Sequence, residues 1–158
     1  MILEQRAALQ SQGKSYMPDD KTFLDTNIII YAYDASAGKK HEIAQKIVMN
    51  LWVSGHGILS TQVLQEFYVN VTKKIHKPLN VKFAKDIISD FLKWDVIVND
   101  GEAILGAIDM QLKYNYSFWD SMIIHAAISG GAALLLSEDL SHGQSIDGVT
   151  IKNPFRSD

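Results

Sequence analysis

Asp25, Glu66, Asp120 and Asp139 are the side chains of this sequence best placed to do chemistry. Asp25 directly follows the apolar pair Phe23-Leu24. Asp139 follows the apolar run 132–136 by three residues, in Ser137-Glu138-Asp139. Glu66 falls in the second turn of a helix expected from Thr61, just after a strand at Ile58-Leu59. Asp120 falls in the first turn of a helix expected from Ser117. That helix precedes its strand and packs antiparallel to it, so its amino end points to the same edge. Ligands of open α/β sheets bind outside the carboxyl ends of the strands. Four carboxylates from four segments thus converge on one end of a sheet, with no obvious basic residue to neutralise them. Two unit charges ~5 Å apart repel by about 3 kcal/mol at an effective dielectric of about 20. Such a cluster takes up protons or binds a cation, and oxygen-only ligands select Mg²⁺ or Mn²⁺. The chemistry of such a site is typically phosphodiester hydrolysis, in which the ion generates and orients hydroxide and stabilises charge on the phosphate.

Each acid also has a plain structural reading. Asp25, with Thr26 and Asn27, makes a good helix cap. Glu66 shares a polar stripe with Asn70, Lys73 and Lys74, opposite Val63, Leu64, Phe67 and Val71. Asp139 reads as a loop acid. Asp120 fits a capping box with Ser117. Yet its helix is apolar nearly all round, and its own stripe continues through Ile123, Ile124 and Ala127. The polar side of that helix is expected at Ser121, His125 and Ser129. A carboxylate on the apolar side of a buried helix needs a partner.

The elements that must hold these acids follow from hydrophobic periodicity. Short strands are expected at Lys21–Leu24, Ile58-Leu59, Val96–Val98, Ala132–Leu136 and Val149–Ile151. Helices are expected over 41–53, 61–76, 81–92, 102–114 and 117–129. Ile28–Ile30 stays open, because a β-branched run favours strand while Asp25, Thr26 and Asn27 favour a helix start. The alternation implies an α/β fold with a parallel sheet covered on both faces. The 158 residues suffice for one domain, here 21–155, with residues 1–20 as an N-terminal extension that holds a short helix through Leu3, Ala7, Ala8 and Leu9. No cysteine is present, which excludes thiol nucleophiles and cysteine-held zinc. The five histidines, His41, His56, His76, His125 and His142, are scattered and read as non-ligands. A net charge of −3 excludes nucleic-acid binding through bulk positive charge. No apolar run approaches the roughly 18 residues of a membrane span, and the amino end lacks a signal-peptide core, so a cytoplasmic location is expected.

Four blocks of the sequence resemble one family. They are Phe23-Leu24-Asp25-Thr26-Asn27, Ser60-Thr61-Gln62-Val63-Leu64-Gln65-Glu66-Phe67, Phe118-Trp119-Asp120-Ser121 and Leu136-Ser137-Glu138-Asp139. In this order and spacing they are similar to the PIN domain, and within it to VapC-type ribonucleases, the toxin halves of toxin–antitoxin pairs. The likeness runs from about Lys21 to Phe155 and includes the closing Asn153-Pro154-Phe155. It implies a three-layer α/β/α fold with a central parallel sheet and a helix starting at Asp25. It implies that Asp25, Glu66, Asp120 and Asp139 are catalytic and bind Mg²⁺ or Mn²⁺. Asn27 and Ser137 fall where small polar residues support those acids, and Glu138 is not one of them. It further implies an RNA substrate, a homodimer and a cognate antitoxin. Lys73, Lys74 and Lys77, expected on the Glu66 helix, and Lys39-Lys40 are candidates for an RNA track. Trp52, Trp94 and Trp119 read as core or interface aromatics, with a base-stacking platform as an alternative that nothing in the sequence supports. Two other functions compete. One is a catalytically silent PIN-like module that binds nucleic acid. The other is a phosphoacceptor receiver-like domain, which wants an acidic pair near its amino end where Asp25 stands singly.

Overall fold

The computed structural model describes residues 20–157. The helix expected around Leu3–Leu9 lies outside the described residues. Strand β1 (Thr22–Leu24) is buried at every position and sits at the centre of the sheet. Its neighbours are β2 (Gly57–Ser60) on one side and β4 (Leu134–Leu136) on the other. The full order is β3-β2-β1-β4-β6-β5, where β3 is Asp95–Ile97, β5 is Ser145–Ile146 and β6 is Val149–Lys152. All pairings are parallel except β5 with β6. The chain thus builds outward through β2 and β3, then returns to the other side of β1. That reversal opens a crevice between β1 and β4 at their carboxyl ends.

The helices are α1 (Thr26–Tyr33), α2 (Lys39–Ser54), α3 (Thr61–Lys73), α4 (Val81–Phe91), α5 (Gly101–Tyr114) and α6 (Phe118–Ser129). They flank the sheet, and α1 packs against both α2 and α3 while α5 packs against α6. Ile28 and Ile29 are fully buried, which settles the open segment as helix. The helical penalty for isoleucine is a few tenths of a kcal/mol, whereas burying each side chain gains about 1.5–3 kcal/mol. Burial inside a layered fold therefore overrides the β-branched preference.

Several boundaries shift by one to three residues from the sequence reading, and one strand is added. Helix α3 ends at Lys73 rather than His76, because Leu79 N–H turns back to the Val71 carbonyl at 2.8 Å and Lys77 precedes Pro78. The residue before proline is disfavoured in a helix. Lys74 is therefore the cap, and Lys77 lies in the loop beyond it. Strand β4 begins at Leu134, two residues later than expected. Strand β5 was not expected at all. It pairs with β6 through Asp147-Gly148, whose φ values of 46° and 87° fit the left-handed residues of a two-residue hairpin.

Candidate active site

Asp25 is where β1 turns into α1, and its backbone N–H reaches across to the Leu136 carbonyl of β4 at 3.0 Å. Its carboxylate caps α1 through Oδ1, which accepts from the Thr26 N–H at 2.7 Å. The other oxygen, Oδ2, accepts from the Ser137 hydroxyl at 2.8 Å. The cap and the site are thus the same side chain. Ser137 is itself fully buried and accepts from the N–H groups of Asp139 and Leu140, each at 3.2 Å.

Glu66 stands in the second turn of α3, whose first residue follows β2 directly. Thr26 Oγ1 donates to Glu66 Oε2 at 2.6 Å, and Gln62 Nε2 donates to Oε1 at 2.9 Å. Asn27 Nδ2 donates to Asp139 Oδ2 at 2.8 Å. Asp120 opens α6, where its N–H donates to the capping Ser117 hydroxyl at 3.2 Å. One cleft of about 110 Å³ is lined by Asp25, Glu66, Asp120 and Asp139 together. All four sequence-predicted acids therefore face one space, and Asn27 and Ser137 each hold one of them.

The electrostatics of the cleft are strained. Burial pushes the Asp25 carboxyl up to about 6. The Ser137 and Thr26 hydrogen bonds oppose that rise, while Asp139 and Glu66 add to it. Asp139 is raised as well, first by burial, then by Glu138 and Asp120, with Lys40 acting against it. Among the described residues no three acids already form a cage around one point. The donor chemistry nonetheless fits a hard cation, because every reactive atom is oxygen. Gln62 gives a second sign. It is 5% exposed, lines the cleft, and turns its amide nitrogen to Glu66. Its Oε1 is then left buried without a hydrogen-bond partner. A donor such as a water held on a cation would satisfy it.

Thr26, Gln62 and Trp119 belong to the cleft, and none was singled out for it from sequence. Gln62 is four residues before Glu66, hence on the same helix face, and that spacing was a usable signal. Trp52 and Trp94 do pack with Phe91, at 5.9 and 5.2 Å. Trp119 is instead 63% exposed and lines the cleft. Ser121, expected on a polar side of α6, is fully buried, and its hydroxyl has no partner.

Of the lysines, Lys40 is engaged elsewhere. Its Nζ lies 2.7 Å from Glu138 Oε2 and over the rings of Tyr31 and Phe155. Lys39, Lys73, Lys74 and Lys77 are exposed. Lys73 is two helical turns beyond Glu66, about 10 Å along the axis.

A family model described as PIN domain matches residues 22–143. No curated protein matches the sequence. Several solved structures share the fold. A toxin–antitoxin complex from Klebsiella pneumoniae is 16% identical with a TM-score of 0.62, covering 85% of this chain and 98% of that one. DNA-bound VapBC from Salmonella typhimurium is 20% identical with a TM-score of 0.58, covering 85% and 98%. VapC20 of Mycobacterium tuberculosis, a toxin that cleaves the sarcin–ricin loop, is 16% identical with a TM-score of 0.56, covering 72% and 86%.

Proposed function

The chain belongs to the PIN domain family, and from that premise we propose that it is a metal-dependent endoribonuclease serving as the toxin of a toxin–antitoxin pair. The observation that carries this reading is the convergence of four acids from four segments on one cleft. Asp25, Glu66, Asp120 and Asp139 would hold Mg²⁺ or Mn²⁺. When bound, the ion supplies an activated water and charge stabilisation at the phosphate. The chain's own contribution is to hold the acids ready. Ser137 and the Thr26 N–H fix Asp25, Thr26 and Gln62 fix Glu66, and Asn27 fixes Asp139. The toxin role draws support from the neighbours, two of which are complexes of a toxin with its antitoxin. A cognate antitoxin, a homodimeric assembly and action in the cytoplasm complete the reading. Among the described residues no helix is long and apolar enough to cross a membrane.

The test is cleavage of a defined RNA by the purified protein. Activity with Mg²⁺ or Mn²⁺, loss in EDTA and loss in Asp120→Asn support the reading. Equal cleavage in EDTA overturns the metal dependence. Binding without cleavage under every metal condition returns the silent-module alternative. The receiver-like alternative is set aside by the family match.

Two expected outcomes probe the parts. Thr26→Val keeps the side chain's shape and removes one donor to Glu66. Hydrogen bonds behind metal ligands are worth about 10–100-fold in metal affinity or activity. Calorimetric titration with Mn²⁺ should show a loss in that range, which Thr26→Ser restores. The lysine track is probed by Lys73→Ala combined with Lys74→Ala. Each lost phosphate contact lowers the slope of log K against log salt by roughly 0.7 for single strands. An unchanged slope moves the track toward Lys39.

A further inference from the structure

We propose that Trp119 is a base-stacking wall of the acidic cleft, which makes the enzyme select an unpaired nucleotide beside the scissile phosphate. The inference rests on the nuclease reading above. Trp119 is 63% exposed although α6 is otherwise mostly buried. It lines the same cleft as the four acids and directly precedes Asp120. Phe118 braces it edge-on, with ring centroids 5.1 Å apart. An indole is thus held at the rim of a site whose other walls are mostly polar, the four acids, Asn27, Gln62 and Thr26, with Ile123 as the one other apolar side chain.

A nucleobase suits that setting better than a protein side does. It is a flat apolar face with a polar edge, matching an indole surrounded by polar groups. The acids repel phosphate, and the chain carries a net charge of −3. Near the acids, affinity for a nucleic acid therefore gains from contacts that do not depend on charge, beside any phosphate contact the exposed lysines make farther along the strand. Stacking is such a contact and tolerates any base. It also requires an exposed base face, which a base inside a duplex does not offer.

The test uses the full chain carrying Asp25→Asn, with Mg²⁺, so that RNA is bound rather than cut. Dissociation constants are measured by fluorescence anisotropy for a labelled 12-nucleotide single strand and for the same sequence as a duplex. Trp119→Ala is expected to weaken single-strand binding by about 5- to 150-fold, the span that alanine substitution of one stacking aromatic gives. Trp119→Phe should retain binding within about threefold, since a ring remains. Duplex binding should be the same in all three proteins. Unchanged single-strand binding in Trp119→Ala overturns the proposal, and so does an equal loss on both RNAs. A changed sedimentation coefficient that accounts for the loss assigns Trp119 to a protein contact and overturns it too. If the wild-type protein cleaves RNA while Trp119→Ala binds normally, stacking fails and the nuclease reading stands. If the wild type neither binds nor cleaves RNA, the nuclease reading fails first.

Discussion

Asp25→Asn is expected to melt higher than the wild type in EDTA, yet to lose its nuclease activity in Mg²⁺. The gain follows from the burial and crowding that push the Asp25 carboxyl from 3.8 to about 6. A rise of about two units corresponds to roughly 3 kcal/mol against the ionised form. Asn removes that charge but still caps α1, because Asn and Asp are equivalent caps. It fits the Ser137 hydroxyl and the Thr26 N–H less well, since one carboxylate oxygen becomes an amide. A net gain of about 1–3 kcal/mol remains, or about 2–12 °C in melting temperature for a domain of this size. Activity should fall by on the order of 100-fold or more, because losing a ligand exceeds the 10–100-fold cost of losing a group behind one. Paired melting curves and one cleavage assay check both halves. A variant that melts lower and keeps its activity would reduce Asp25 to a helix cap.

The same shift fixes the sign of a pH dependence. The folded state holds the Asp25 proton more tightly than the unfolded chain does. Between about 4 and 6 it therefore binds more protons, and stability falls as pH rises through that window. Below the window the penalty is absent, and above it the penalty is complete. Asp139, also raised, contributes in the same direction from a more exposed position. In EDTA the melting difference between Asp25→Asn and the wild type should thus be small near pH 4 and grow to a plateau above pH 6. A difference that is constant with pH would show that packing, not ionisation, separates the two proteins.

The sheet and its acids were legible because each rests on a local signal. Asp25 follows an apolar strand, Ser117 caps α6, and Ser60 caps α3, so chain direction alone carries the acids to one edge. The β-branched run Ile28–Ile30 was legible as helix only through the family resemblance, not from its own pattern, since packing against α2 and α3 is what makes a helix of it. Strand β5 is two residues long, too short for any alternation to show, and Asp147-Gly148 was its only local mark. The place of Trp119 stayed open for a different reason. Helix α6 is apolar nearly all round, so periodicity cannot separate a ring on the cleft rim from one in the core. The Thr26–Glu66 hydrogen bond spans 40 residues of sequence, and only the folded chain brings the two together.

Phe91→Ala should have the opposite signature, a large loss of stability with the chemistry kept. Phe91 is fully buried at the end of α4. Its ring meets Trp94 at 5.2 Å, Trp52 at 5.9 Å, Phe67 at 6.1 Å and Tyr33 at 6.3 Å. It is the shared member of that aromatic cluster, so truncation removes four ring contacts and leaves a cavity. Phe→Ala in a core costs about 3–5 kcal/mol. For this chain length that is about 6–20 °C in melting temperature. The loss is large beside a typical net stability of roughly 5–15 kcal/mol, so the variant is assayed well below its midpoint. Phe91 does not line the acidic cleft. At such a temperature its cleavage rate per folded molecule should stay within about twofold of the wild type, an energy difference of ~0.4 kcal/mol. Phe91→Leu refills part of the cavity and should lose less stability. If Phe91→Ala instead loses activity in the folded state, the cluster reaches the cleft through Phe67, the residue next to Glu66 on α3. Comparing it with Asp25→Asn then separates what holds the fold from what does the chemistry, because one variant trades stability away and the other gains it.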